Sequence, residues 1–201
     1  MCDHKDWHIQ KINHIYLMII LTFALTNCVF IPQQVDIDSI ESRIVYPRDS
    51  FKAKKMVQYE KFVDLRPAKD HLGSRRNLMM MKTANVSLKG DMSNLTEAII
   101  KNTFASRGIR EGTSPYAVRV RIVEVTANYS GPGTIFIQVS LTLSVIDNNI
   151  NKIIYQKNLK GYSEDKPTAI SSSSLENAFV GAMNQIADQT DQIALELLNI
   201  I

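Results

Sequence analysis

Histidine is scarce: there are four in 201 residues, and His4, His8 and His14 all fall within the first fourteen. Only His71 lies further along, beside Asp70. No nucleophile elbow or second partner is placed to complete a Ser-His-Asp or Cys-His set around it, so it reads as a solvated loop residue. Cysteine is scarcer still, with only Cys2 and Cys28, and a zinc set needs about four Cys, His or carboxylate ligands. No cofactor or metal is therefore expected. A strong charge of one sign is also missing: 23 Lys+Arg against 20 Asp+Glu leave +3, spread along the chain. A nucleic-acid footprint needs clustered cations. Gly131-Pro132-Gly133 lacks the following helix pattern that a phosphate loop requires, and reads as a hairpin turn. Together these absences point away from catalysis, metal binding and nucleic acid. A non-enzymatic protein is the expectation.

One long hydrophobic run is present. Residues 15–25 are uncharged and apolar, preceded by Lys5 and Lys11 with His14 abutting them. A basic segment followed by such a run reads as a secretory signal rather than a fold element. The run leads directly into Leu25-Thr26-Asn27-Cys28, which resembles the lipobox of bacterial lipoproteins. The resemblance implies cleavage between Asn27 and Cys28, diacylglycerol on the Cys28 thiol and acylation of the new amine. Asn27 stands where that pattern usually has Gly, Ala or Ser. A retained membrane anchor is the competing reading: extended to Ile31 the stretch has 17 residues, at the short limit of the roughly 20 that span a bilayer. Three acyl chains hold a protein stably, whereas one binds marginally. Val29, rather than the aspartate that retains enterobacterial lipoproteins at the inner membrane, implies the outer membrane, facing the periplasm. Cys2 would leave with the signal, so no internal disulfide is available to the mature chain.

Residues 28–53, with Pro32 and Pro47 and no sustained periodicity, read as the lipidated N-terminus and a tether, and 54–201 as a single domain. A first strand is expected over 56–66, a short edge strand over 84–88, and a helix over 94–107 with Asn94 and Glu97 as its capping box. Gly108 closes that helix. Strict alternation marks strands over 116–129 and 134–146, with a phase shift near Val123 that predicts a bulge. A third strand follows over 152–162. Apolar spacings of three and four predict a long helix over 174–199. The order β-(β)-α-β-β-β-α predicts an α+β fold: an antiparallel sheet of four to five strands with two helices packed on one face.

The lipobox, Val63-Asp64-Leu65-Arg66, Ser106-Arg107-Gly108-Ile109, the two long strands and the polar-capped final helix together resemble the YajG-like family of bacterial envelope lipoproteins. The layout is also similar to LpoB and the amino-terminal domain of TolB, which act by binding proteins. The resemblance implies no active site and a periplasmic or outer-membrane protein partner. The alternative is an accessory lipoprotein handling envelope lipid or glycan, which would need an apolar cleft between sheet and helices. Asp64 and Arg66 straddle Leu65 and share a side, which makes them either a partner-binding corner or a structural ion pair where the strand stops, and Arg119 and Arg121, with Lys157 and Lys160, are either a basic patch for a partner on the open sheet face or a plain solvated face. The methionine-rich run 78–81 is either a contact surface or core.

Overall fold

A computed structural model describes residues 32–47, 55–76, 82–130, 133–166 and 172–201. The apolar run, Asn27, Cys28 and the run 78–81 lie outside these residues. In chain order the elements are β1 (Gln33–Asp36), α1 (Ile37–Glu41), β2 (Lys55–Tyr59), β3 (Val63–Asp64), β4 (His71–Arg76), β5 (Lys82–Lys89), α2 (Met92–Ser106), β6 (Ile109–Glu111), β7 (Tyr116–Ser130), β8 (Thr134–Asp147), β9 (Lys152–Asp165) and α3 (Ser172–Leu197).

The expected antiparallel sheet of four to five strands with two helices is overturned. The described strands form one mixed nine-stranded sheet, accompanied by three helices. Its organising element is β7. One edge pairs antiparallel with β8, which pairs antiparallel with β9. The other edge is shared along its length by β2, β3 and β4, each parallel to β7 over only two residue pairs. From there the sheet forks, through β2 to β6 on one branch and through β4 and β5 to β1 on the other. Within the stretch 28–53 assigned to the lipidated N-terminus and tether from sequence, Gln33–Asp36 join this sheet as β1, and Val35, with Ile37 and Ile40 of α1 and Ile44 beyond it, lies in the core.

The long strands follow their side-chain alternation. Ile135, Ile137, Val139, Leu141, Leu143 and Val145 of β8 are all at most 1% exposed and face the helices. The bulge is present: Ile122 pairs with Leu141 and Glu124 with Ser140, which leaves Val123 unpaired. α2 starts earlier than Asn94, because Asp91 is its N-cap and accepts from the Ser93 N–H at 2.8 Å. Its other end matches the expected glycine stop, with Gly108 at φ 82°.

α3 packs across β9 and β8 and meets α2. Among the described residues β9 pairs only with β8, so its outer edge would present unpaired backbone groups. Two glutamines of α3 occupy part of it. Gln185 accepts from the Tyr162 N–H at 3.0 Å and donates to its carbonyl at 2.6 Å. Gln189 does the same at Lys160, at 3.1 and 2.6 Å. Each side-chain amide thus replaces one residue of a neighbouring strand.

Candidate functional site

The centre of interest is the short strand in the fork. Along residues 62–66 the usual alternation is inverted. Phe62, Asp64 and Arg66 point inward, at 2%, 8% and 6% exposure, while Val63 and Leu65 point outward at 40% and 54%. A strand half-buried on one face normally turns its aliphatic residues in and its charges out. Here the reverse register is held by the buried pair. The Arg66 guanidinium donates from Nε to both Asp64 oxygens at 3.0 and 3.1 Å and from Nη2 to Oδ2 at 2.7 Å. The Arg66 backbone N–H reaches Asp64 Oδ1 at 3.0 Å, and Nη2 also reaches the Lys69 carbonyl at 2.8 Å. Desolvation pushes the Asp64 carboxyl up, but its hydrogen bonds and attraction to Arg66, helped by Lys69, outweigh this and hold it below the ordinary value. Arg66 and Asp64 therefore work as an internal bracket that holds Val63 and Leu65 in solvent.

The register of β3 on β7 extends this surface. Val63 lies opposite Arg121, Asp64 opposite Ile122, and the Leu65 N–H continues the ladder to the Ile122 carbonyl at 2.9 Å. Leu65 therefore comes beside the bulged Val123, itself 52% exposed. Arg121 is exposed and makes no ion pair or hydrogen bond among the described residues. Glu124 follows on the same face and, among the described residues, accepts only from Gln138 Nε2, at 2.9 Å. Three aliphatic side chains, a free cation and an un-neutralised carboxylate thus share one patch of the open sheet face.

Where β3's outer edge is unpaired, a cavity of about 480 Å³ opens toward the start of α2. Lys61, Arg66, Lys69, Asp91 and Glu97 are among the residues around it. Arg66 Nη1 is buried without a hydrogen-bond partner. Cations and carboxylates are mixed here. His71 is exposed at the start of β4, outside this constellation. Among the described residues no three His, Cys, Asp or Glu side chains converge to hold a metal ion. No described helix is long and apolar enough to cross a membrane.

The four candidate contact residues are thus divided. Asp64 and Arg66 are engaged with each other inside the fold. Arg119 is tied to Glu60, donating from Nε at 2.6 Å and Nη2 at 3.0 Å. Arg121 is free. Of the basic patch suggested by Arg119, Arg121, Lys157 and Lys160, three members share the open face and one does not, because Lys157 and Lys160 have opposite parity on β9. Lys160 shares the open face through Ser140, whereas Lys157 turns toward α3 and donates to Glu196 at 2.9 Å. Val63, Leu65 and Val123 were not identified from sequence; the bulge at Val123 was the one signal pointing to them.

No family model matches the chain, and no curated protein resembles it in sequence. Its fold is found among solved structures. A Xanthomonas campestris protein of the DUF330 family aligns with a TM-score of 0.56 at 12% identity, covering 77% of this chain and 94% of that one. A minor lipoprotein of Acinetobacter baumannii aligns with a TM-score of 0.44 at 17% identity, covering 71% and 94%. A Chlamydia trachomatis protein aligns at 0.47 and 13%, covering 73% and 96%. At these identities the likeness to the Xanthomonas protein establishes the fold alone.

Proposed function

We propose that this chain is a non-enzymatic lipoprotein of the bacterial envelope, held through Cys28 at the periplasmic side of the outer membrane, that works by docking a protein on its open sheet face where β3 joins β7. The observation that carries the docking reading is the inverted strand. Exposing two aliphatic side chains and burying an ion pair both work against stability, and a protein interface is what gives such an arrangement a use. The anchor rests on the sequence around Cys28 and on β1, which begins five positions later at Gln33. A domain this close to its lipid stays near the bilayer surface. The alternative role in carrying lipid or glycan would need an apolar cleft between sheet and helices. The described residues fill that space with fully buried side chains from β8 and α3, among them Leu143, Val145, Phe179 and Ile186.

Two measurements test the parts separately. A photo-crosslinking residue placed in the full chain at Leu65 or Val123 should give protein adducts in cells, while one at Asp188, exposed on α3, should give none. Empty lanes at both patch positions would refute the docking site. Radioactive palmitate should label the wild type and not Cys28→Ser. Label persisting in Cys28→Ser would sink the anchor.

A further inference from the structure

We infer that the protein docked on this face is a second copy of the same chain, related by a two-fold axis that crosses β7 near Val123. The inference rests on the docking reading above and names its partner. A two-fold interface must be self-complementary, so that residue i of one copy meets residue j of the other and the reverse. The patch has that property. Arg121 and Glu124 lie opposite Thr142 and Ser140, two positions apart on β8, and therefore share one face of β7. Among the described residues neither has an ion-pair partner in its own chain. When two copies lie face to face with their β7 strands antiparallel, Arg121 of each copy comes to Glu124 of the other. Val123 then sits close to the axis, with Leu65 and Val63 flanking it. Strands running parallel would instead set Arg121 against Arg121, so the charges select the antiparallel arrangement.

The size of the face is suitable. β7, β8 and β9 are 15, 14 and 14 residues long. At ~3.4 Å per residue and ~4.8 Å between strands they offer roughly 700 Å² of flat surface. Stable interfaces cover about 800 Å² on each partner, and β3 adds to the patch. Packed sheets of this kind lie about 10 Å apart with strands about 30° from alignment.

The position of the anchor is compatible too. The two-fold axis runs across the strands, and the sheet order along it is β9, β8, β7, β4, β5, β1. Rotation about an axis preserves position along it, so both copies carry β1 at the same end. Gln33 of each copy therefore lies at the same height along the axis, an arrangement that two lipids in a single leaflet can accommodate.

Sedimentation equilibrium of the full chain in density-matched detergent tests this. The wild type should be a dimer at micromolar concentration. Arg121→Glu and Glu124→Arg should each weaken association at least tenfold, and Leu65→Asp should do the same by removing apolar contact. The double exchange Arg121→Glu/Glu124→Arg should restore association to near the wild-type value, since it re-forms both cross-copy pairs. A wild type that stays monomeric, or a double exchange as weak as the single variants, would overturn the second-copy assignment. Crosslinking separates this failure from that of the docking reading. An adduct at twice the chain mass from Leu65 supports both, whereas a monomer whose Leu65 crosslinks to a different protein leaves docking standing and removes self-association.

Discussion

Replacing Asp64 by Ala should destabilise the protein by about 3–5 kcal/mol, which is what stranding one member of a buried ion pair costs. The Arg66 side chain is 5% exposed, and without the carboxylate its only remaining hydrogen-bond acceptor among the described residues is the Lys69 carbonyl. The charge cannot be relieved by deprotonation, because a guanidinium stays protonated in proteins. For a chain of this size the melting temperature should fall by on the order of 10 °C. The converse variant separates pairing from burial. Asp64→Leu combined with Arg66→Met removes both charges and fills the same space with apolar atoms, and such replacements are often neutral or stabilising. The double variant should therefore be markedly more stable than Asp64→Ala, while the β3 register should loosen as its bracket is lost. The pair also sets a pH dependence. Since the folded-state pKa of Asp64 is depressed, its contribution is fully present above the ordinary aspartate value near 3.9 and is lost as pH falls through the lower folded value. Urea unfolding should show the gap between wild type and Asp64→Asn at pH 7 and a smaller gap near pH 3. A gap of equal size at both pH values would mean that Asp64 is not ionised in the fold.

What could be read from the sequence divides along the length scale of the contacts. β7, β8 and α3 are legible because each is long and amphipathic, so a local window contains its whole signal. The Val123 bulge is legible for the same reason: a phase shift inside a long alternating run has few other meanings. β4 and β6 are not, and β3 is seen only as the end of a single strand expected over 56–66, which the fold divides into β2 and β3. β3 has two residues and β6 three, and β4 joins β7 through two residue pairs. β3 and β4 exist because β7 offers an edge, and β6 because β2 does, so their cause lies some fifty residues away in the chain. The same limit explains the tether: Val35, Ile37 and Ile40 show no sustained period, yet each is buried by partners far along the sequence. At the candidate site, parity alone put Asp64 and Arg66 on one side of Leu65. It could not say which side faced in. That choice is made by the mutual hydrogen bonding of the pair, and it turns two aliphatic residues that a local pattern would bury into the exposed centre of a proposed interface.

Gly161→Ala should be among the most disruptive single-methyl changes in this fold, at about 3–5 kcal/mol. A Cβ on Gly161 would stand 2.1 Å from the Ala182 carbonyl oxygen and 2.9 Å from its carbon. Both belong to the α3 backbone, so no side-chain rotation relieves the clash. The helix must withdraw from β9 by roughly 1 Å or more to reach ordinary contact distance. Overpacking of this kind costs about 1–3 kcal/mol by itself. Withdrawal also breaks what depends on the same close approach. Gln185 and Gln189 would lose their paired bonds to Tyr162 and Lys160, each bond contributing about 1 kcal/mol, and Ile186, fully buried beneath the glycine, would lose packing. Gly112→Ala is the matched control. Its Cβ meets only the side chain of Met56, nearest at the sulfur, 2.3 Å away. Met56 is 52% exposed, so its flexible thioether swings aside and the cost should stay below about 1 kcal/mol. Denaturant midpoints of the two variants decide the matter. A Gly161→Ala protein as stable as Gly112→Ala would show that α3 does not rest on β9 through this glycine. A large loss confined to Gly161 would mean that the helix, through its two glutamines, is what keeps the outer edge of β9 closed. Loss of that contact should then be accompanied by concentration-dependent aggregation, since a long unpaired edge strand is a template for another chain.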